Sequence, residues 1–221
     1  MKKLLAGMVR FQNEVFPRSR HIYQQLAREQ QPETLFICCS DSRVVPHDLT
    51  QTLPGELFIC RNAGNIVPAH GDVLGGVSAT VEYAVQVLKV KHVIICGHSD
   101  CGAMRAVLHP EKVQAYRAVA RWIRHAERVS AIAHELHHGL DDDQMLNLLI
   151  EENVVAQLDN LVTHPCVAAK TRAGSLQIHG MVFDIATGEF RILDRQTERF
   201  APLHEVIAGG ALAAAVEVGR G

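Results

Sequence analysis

The chain has 221 residues, 48% of them hydrophobic, and 22 Lys and Arg against 24 Asp and Glu give a net charge of −2. That composition supports a core of one large domain or two small ones and excludes a disordered chain. No charge surplus invites nucleic acid or an anionic membrane surface, and the longest apolar stretch, residues 206–216, is 11 residues with two glycines, against about 20 needed to span a bilayer.

Leu4, Leu5, Met8, Phe11 and Val15 recur at helical spacing, so residues 2–13 read as an amphipathic helix. A secretory leader is the poorer reading, because Arg10 cuts the apolar run and no small-residue cleavage site follows. A second helix covers about 17–30. Short apolar runs at 34–39 (after Pro32), 56–61 (after the Pro54-Gly55 turn) and 92–96 (stopped by Gly97) read as buried strands. Helical patterns occupy 73–88, 100–108, 113–138 and 142–163, the last opened by acidic residues that suit the positive end of a helix. Residues 175–184 and 189–193, joined at Thr187-Gly188, read as a hairpin. Strands separated by helices predict a three-layer α/β/α fold, with a mostly parallel central sheet and an antiparallel C-terminal edge. Residues 1–202 are expected to form one catalytic domain, with 203–221 an Ala- and Gly-rich tail of unassigned role.

In such sheets ligands bind beyond the carboxyl ends of the strands. The 34–39 run leads into Cys39-Ser40-Asp41-Ser42-Arg43, and the 92–96 run into Gly97-His98-Ser99-Asp100-Cys101-Gly102. Cys39, His98 and Cys101 form a sulfur–nitrogen set that suits one tetrahedral zinc, and three protein ligands leave a fourth position open, as in catalytic sites. Such a zinc brings the pKa of its water to about 7. Asp41, two residues from Arg43, is expected to stay ionised and to orient the resulting hydroxide, or else to swing onto the metal and close the site. Cys38, Cys60, Cys96 and Cys166 read as buried thiols. Reduced cysteines in a chain with a good core place the protein in the cytoplasm.

These paired motifs resemble the β-class carbonic anhydrases. The resemblance extends through Pro54-Gly55-Glu56-Leu57-Phe58, Arg61-Asn62-Ala63-Gly64-Asn65, Gly75 to Ala84, Glu152-Asn153-Val154 and His179-Gly180, to about Pro202. It is strongest with the bacterial branch encoded beside cyanase and with the plant-like branch. It implies reversible hydration of carbon dioxide to bicarbonate, with one Zn2+ per chain on Cys39, His98 and Cys101 and a catalytic dyad of Asp41 and Arg43. It also implies substrate contacts from Gln30, Phe58, Tyr83 and Gly102, and a homodimer or larger assembly in which the N-terminal helices reach over a partner. The histidine that many relatives use as proton shuttle is Val87 here. Of the tryptophan, arginine and tyrosine that build an inhibitory bicarbonate site in some relatives, only Arg61 is retained, beside Phe36 and Phe183. The site is therefore expected to be open at neutral pH, with Asp41 on Arg43.

Four other readings compete. His134-Glu135-Leu136-His137-His138 fits the H-E-x-x-H pattern of zinc proteases, but Gly139 and residues 141–143 end that helix at once. A phosphatase loop fails on spacing, since Cys39 and Arg43 enclose three residues rather than five. Hydrolysis of carbonyl sulfide or carbon disulfide on the same fold, or a non-catalytic zinc domain closed by Asp41, is left open by the residues alone.

Overall fold

Five of the six residues of β1 (Thr34–Cys39) are buried, which is why the segment shows a continuous apolar run rather than an alternating one. In the computed structural model, which describes residues 1–72, 75–195 and 197–209, β1 lies inside a six-stranded sheet. Its neighbours are β2 (Leu57–Asn62) on one side and β3 (His92–His98) on the other, both parallel to it. β4 (Gln177–Phe183) continues the parallel set beyond β3, and β5 (Phe190–Asp194) and β6 (Arg199–Pro202) add two antiparallel strands. The chain leaves β1 to one side and returns on the other, so the switch point of the sheet lies at the adjoining carboxyl ends of β1 and β3.

The helices are α1 (Lys2–Arg10), α2 (Phe16–Leu26), α3 (Pro46–Thr50), α4 (Gly76–Glu82, continued by a wider turn through Leu88) and α5 (Gly102–Leu108). They are followed by α6 (Arg117–Ile123), α7 (Glu127–Leu136), α8 (Asp142–Thr163), α9 (Pro165–Arg172) and α10 (Leu203–Ala208). α8 is the central one. Asp141 caps it with a complete capping box, and it lies on β3 and β4 where Gly97 and Gly180 carry no side chain. A methyl group on Gly180 would come within 2.8 Å of Val154 Cγ1 and 3.0 Å of Leu158 Cδ1. Gly180→Ala is therefore expected to cost about 1–3 kcal/mol as overpacking, read as a lower urea midpoint at unchanged m-value.

Several expectations need correction. The 113–138 helix is broken into a tight turn at Pro110–Val113, then α6, a second tight turn at Arg124–Ala126, and α7. Ile123 and Ala126 are both buried, and a three-residue turn brings positions three apart onto one face. Gly97 does not stop β3, because the strand needs its missing side chain under α8. α5 begins at Gly102 rather than at residue 100, since Asp100 is left-handed, with φ +54°. Of the 73–88 helix, residues 73 and 74 lie outside the described residues. β6 is short and only partly buried at the sheet edge, too weak a pattern to be predicted. Most of the expected tail, residues 210–221, also lies outside the described residues, but its first part is α10.

α1 and α2 have no buried residue in the isolated chain, and Leu4, Leu5, Met8, Val9 and Val15 are all exposed. The Phe11 and Tyr23 rings stand 5.8 Å apart across 12 positions. A straight helix would separate their Cα atoms by about 18 Å, so the chain bends sharply between them, at the wide turn Phe11–Val15 and Pro17.

Candidate metal centre

β1 and β3 end side by side, with Cys38 opposite Cys96, so Cys39 and His98 emerge from neighbouring strand ends. Cys101 immediately precedes α5 and is buried. The ligand atoms of Cys39, His98 and Cys101 all lie within 4.8 Å of one another, and no other such group of three occurs among the described residues. His98 Nδ1 is 2.8 Å from the Ser99 carbonyl oxygen. A carbonyl only accepts, so Nδ1 carries the proton and Nε2 presents its lone pair. That Nε2 is a buried atom with no hydrogen-bond partner, an arrangement that is costly unless it has a ligand to bind.

The thiols are prepared in the same way. The Gly64 N–H donates to Cys39 Sγ at 3.3 Å. A hydrogen bond with the Cys101 thiol holds Cys39 below the ordinary cysteine range, and the same hydrogen bond, with burial and then the charge of Cys39, pushes Cys101 up, so the pair releases one proton easily and keeps the other. A divalent cation removes that conflict by neutralising both thiolates. Donor set, lone-pair direction and spacing therefore fit zinc. Elsewhere burial pushes the Cys38 thiol up to about 12 and raises Cys60, Cys96 and Cys166, as inert core thiols require.

Asp41 sits at the rim. Arg43 Nε donates to its Oδ1 at 2.9 Å and Nη2 to its Oδ2 at 2.8 Å, and the Arg43 backbone N–H adds a bond to Oδ1 at 2.9 Å. These bonds hold the Asp41 carboxyl well below the usual carboxylate range. Oδ2 lies 4.0 Å from His98 Nε2. Arg61 steadies the backbone beneath, bonding the Cys39 carbonyl at 3.1 Å and the Asp41 carbonyl at 2.7 Å. Phe36 and Phe183 are buried core residues.

A feature unnoticed in the sequence supports the cradle. Asn153, Gln157 and Asn160 are buried polar residues of α8. Asn153 donates to the Gly64 carbonyl at 3.0 Å and Gln157 accepts from the Val67 N–H at 2.8 Å. Asn160 donates to the Val67 carbonyl at 2.9 Å. Gln157 also donates to Asn153 at 2.9 Å, closing a ladder that fixes the loop bearing Gly64. Its only sequence signal is three carboxamides at positions i, i+4 and i+7 of an otherwise apolar helix face.

The expected substrate residues fall into two groups. Gly102, exposed beside Cys101, has open space where a side chain would be. Phe58 and Tyr83 lie together, with ring centroids 5.8 Å apart, but not beside the cysteines. Phe58 pairs with Leu35, four residues before Cys39 on β1, and four strand residues span about 13 Å. Gln30 is exposed and precedes the start of β1, farther still from Cys39. The protease pattern is not assembled, because α7 ends at Leu136 and His137 is extended, so His138 leaves the helix that carries His134.

The carbonic anhydrase family model matches residues 34–190. The carbonic anhydrase of Pseudomonas aeruginosa is 48% identical over 205 residues, 93% of each chain. The structure of the β-carbonic anhydrase CcaA superposes with a TM-score of 0.89 at 36% identity, covering 91% of this chain and 98% of that one. The chain belongs to the β-class carbonic anhydrases. Its reaction is the reversible hydration of carbon dioxide to bicarbonate and a proton, and zinc is its cofactor. This β-class carbonic anhydrase is also similar to one of Sordaria macrospora, from a pair described as tetrameric, with a TM-score of 0.72 at 32% identity over 87% of this chain and 92% of that one.

Proposed function

We propose that Cys39, His98 and Cys101 hold the zinc and that Asp41 and Arg43 are the catalytic dyad beside it. The observation that carries this is the buried, unpartnered His98 Nε2 facing two cysteine sulfurs, with an Arg43-bound carboxylate 4.0 Å away. Bound there, zinc supplies a Lewis acid that makes water nucleophilic near neutral pH. The protein's part is orientation. An ionised Asp41 only accepts hydrogen bonds, and its Oδ2 faces the metal side, so it would accept one from the attacking oxygen and leave a lone pair of that oxygen turned toward the carbon of carbon dioxide. Arg43 keeps Asp41 in that role, since protonating or moving the carboxylate means breaking a bidentate pair. Purified protein is expected to hold about one zinc per chain and to hydrate carbon dioxide in stopped-flow assays at pH 8. Zinc-replete protein without activity would refute the assignment.

The separation of Gln30, Phe58 and Tyr83 from the cysteines of their own chain supports a site completed by a second copy. The exposed apolar faces of α1 and α2 supply the means, and burial of such surface is worth about 25 cal/mol per Å². A homodimer is the minimal assembly, and the tetrameric Sordaria macrospora relative supports a larger one as well. Light scattering at micromolar concentration should give at least a dimer. Leu5→Glu with Met8→Glu should yield monomer with at least about tenfold less activity, and a fully active monomer would refute the shared site. The continuous sheet supports reading residues 1–202 as one catalytic unit, and six buried cysteines outside any disulfide support a reducing, cytoplasmic compartment. No helix among the described residues is long and apolar enough to cross a membrane.

A further inference from the structure

Arg43 has five N–H groups, and two of them are used on the side chain of Asp41. Two more go to a single other residue, Asp100. Nη1 donates to Asp100 Oδ2 at 3.1 Å and Nη2 to the Asp100 carbonyl at 3.1 Å. The guanidinium plane is thus held along two edges, by Asp41 on one and Asp100 on the other. Asp100 presents carbonyl and carboxylate together because its backbone is left-handed, φ +54°, a conformation that aspartate tolerates better than most residues. Its remaining oxygen, Oδ1, accepts from Arg105 Nη2 at 2.7 Å, and the same guanidinium group lies 3.8 Å from Asp143 Oδ1 at the start of α8.

We infer that Asp100 and Arg105 are positioning residues for carbon dioxide hydration, fixing the plane of the Arg43 guanidinium and through it the Asp41 carboxylate. The inference rests on the dyad reading above. The side-chain bonds of Asp100 and Arg105 go to Arg43, to each other and to Asp143, none of them a proposed metal ligand. The side chains are 56% and 45% exposed, and ion pairs at such positions add little to stability. A chain of five charged groups, Asp41, Arg43, Asp100, Arg105 and Asp143, running from the site rim to an exposed helix start therefore has its consequence in orientation rather than in holding the fold. A bidentate clamp on Asp41 with a free outer edge would let the pair swing together, and misplacement of about 1 Å costs up to about a hundredfold in rate.

The test uses zinc-loaded protein. Asp100→Gly keeps the left-handed backbone and the carbonyl while removing the carboxylate. It is expected to lower kcat about tenfold with KM within twofold and zinc unchanged. Arg105→Gln should lower kcat about threefold, Arg105→Lys should restore it, and the double variant should be no worse than Asp100→Gly, because Arg105 acts through Asp100. NMR supplies a reading independent of turnover. The Arg43 Nη hydrogens, assigned by their loss in Arg43→Lys, should exchange slowly in the unaltered protein and markedly faster in Asp100→Gly. If Asp100→Gly fails to hold zinc, Arg105→Gln decides, since its side chain pairs with Asp100 and Asp143 and not with a proposed ligand. Unchanged kcat in Arg105→Gln, or unchanged Arg43 exchange in Asp100→Gly, overturns the inference. If Asp41→Ala is itself fully active, the dyad reading falls. If Asp41→Ala is inactive while Asp100→Gly and Arg105→Gln keep kcat within about twofold, only the positioning inference falls.

Discussion

Cys101→Ser is expected to leave the protein without zinc and with carbon dioxide hydration at background. The substitution removes one of three ligands from a cluster whose atoms lie within 4.8 Å of one another. A serine hydroxyl remains protonated near neutral pH and is a harder donor than thiolate, so it does not replace the sulfur. Groups that merely orient a ligand are worth about 10–100-fold in metal affinity, and a ligand is worth more. The exchange of sulfur for oxygen is small in volume, so secondary structure by circular dichroism should be retained while zinc by elemental analysis falls from about one per chain to a tenth or less. Retention of stoichiometric zinc would remove Cys101 from the ligand set.

Asp41→Ala should give the complementary result, with zinc retained and kcat lowered about 10²–10³-fold, the scale of losing one preorganised polar group at a reacting centre. Its oxygens are engaged by Arg43 and are no part of the cysteine–histidine cluster. The pH dependence has a definite sign. Arg43 depresses the folded-state value of Asp41 below that of an unfolded carboxylate, about 4. Its contribution to stability is then fully present above pH about 4 and is lost as pH falls through the depressed value. Acid unfolding of Asp41→Ala should accordingly be less steep below pH 4 than that of the unaltered protein. Full activity in Asp41→Ala would dissolve the dyad.

The parts of this molecule that were legible in sequence share a cause. β1 and β3 are buried on both faces and bounded by proline, glycine or a change to polar residues, so they stand out as apolar runs. The metal set was legible because Cys39, His98 and Cys101 follow directly on those runs. The break between α6 and α7 was not, since Ile123, Ala126, Val129 and Ala133 keep a helical rhythm straight through a tighter turn. Nor was the position of Phe58 relative to Cys39, which is a matter of strand register: only the pairing of Leu35 with Phe58 puts the ring at the wrong end of the sheet for its own cysteines. The carboxamide ladder was hidden because Asn and Gln on a helix ordinarily read as solvated.

That ladder has a consequence for the conditions under which the enzyme works. Every turnover in the hydration direction releases a proton and an anion into the water at the mouth of the site. Asn153, Gln157 and Asn160 have no proton to gain or lose over the neutral range and no net charge for dissolved ions to screen, and they lie in the interior, where mobile ions do not follow. The loop that presses Gly64 against Cys39 is therefore tied down by bonds indifferent to acidity and to salt. A catalyst that acidifies its own surroundings thus keeps the Gly64 side of its metal cradle on polar contacts that its product leaves untouched.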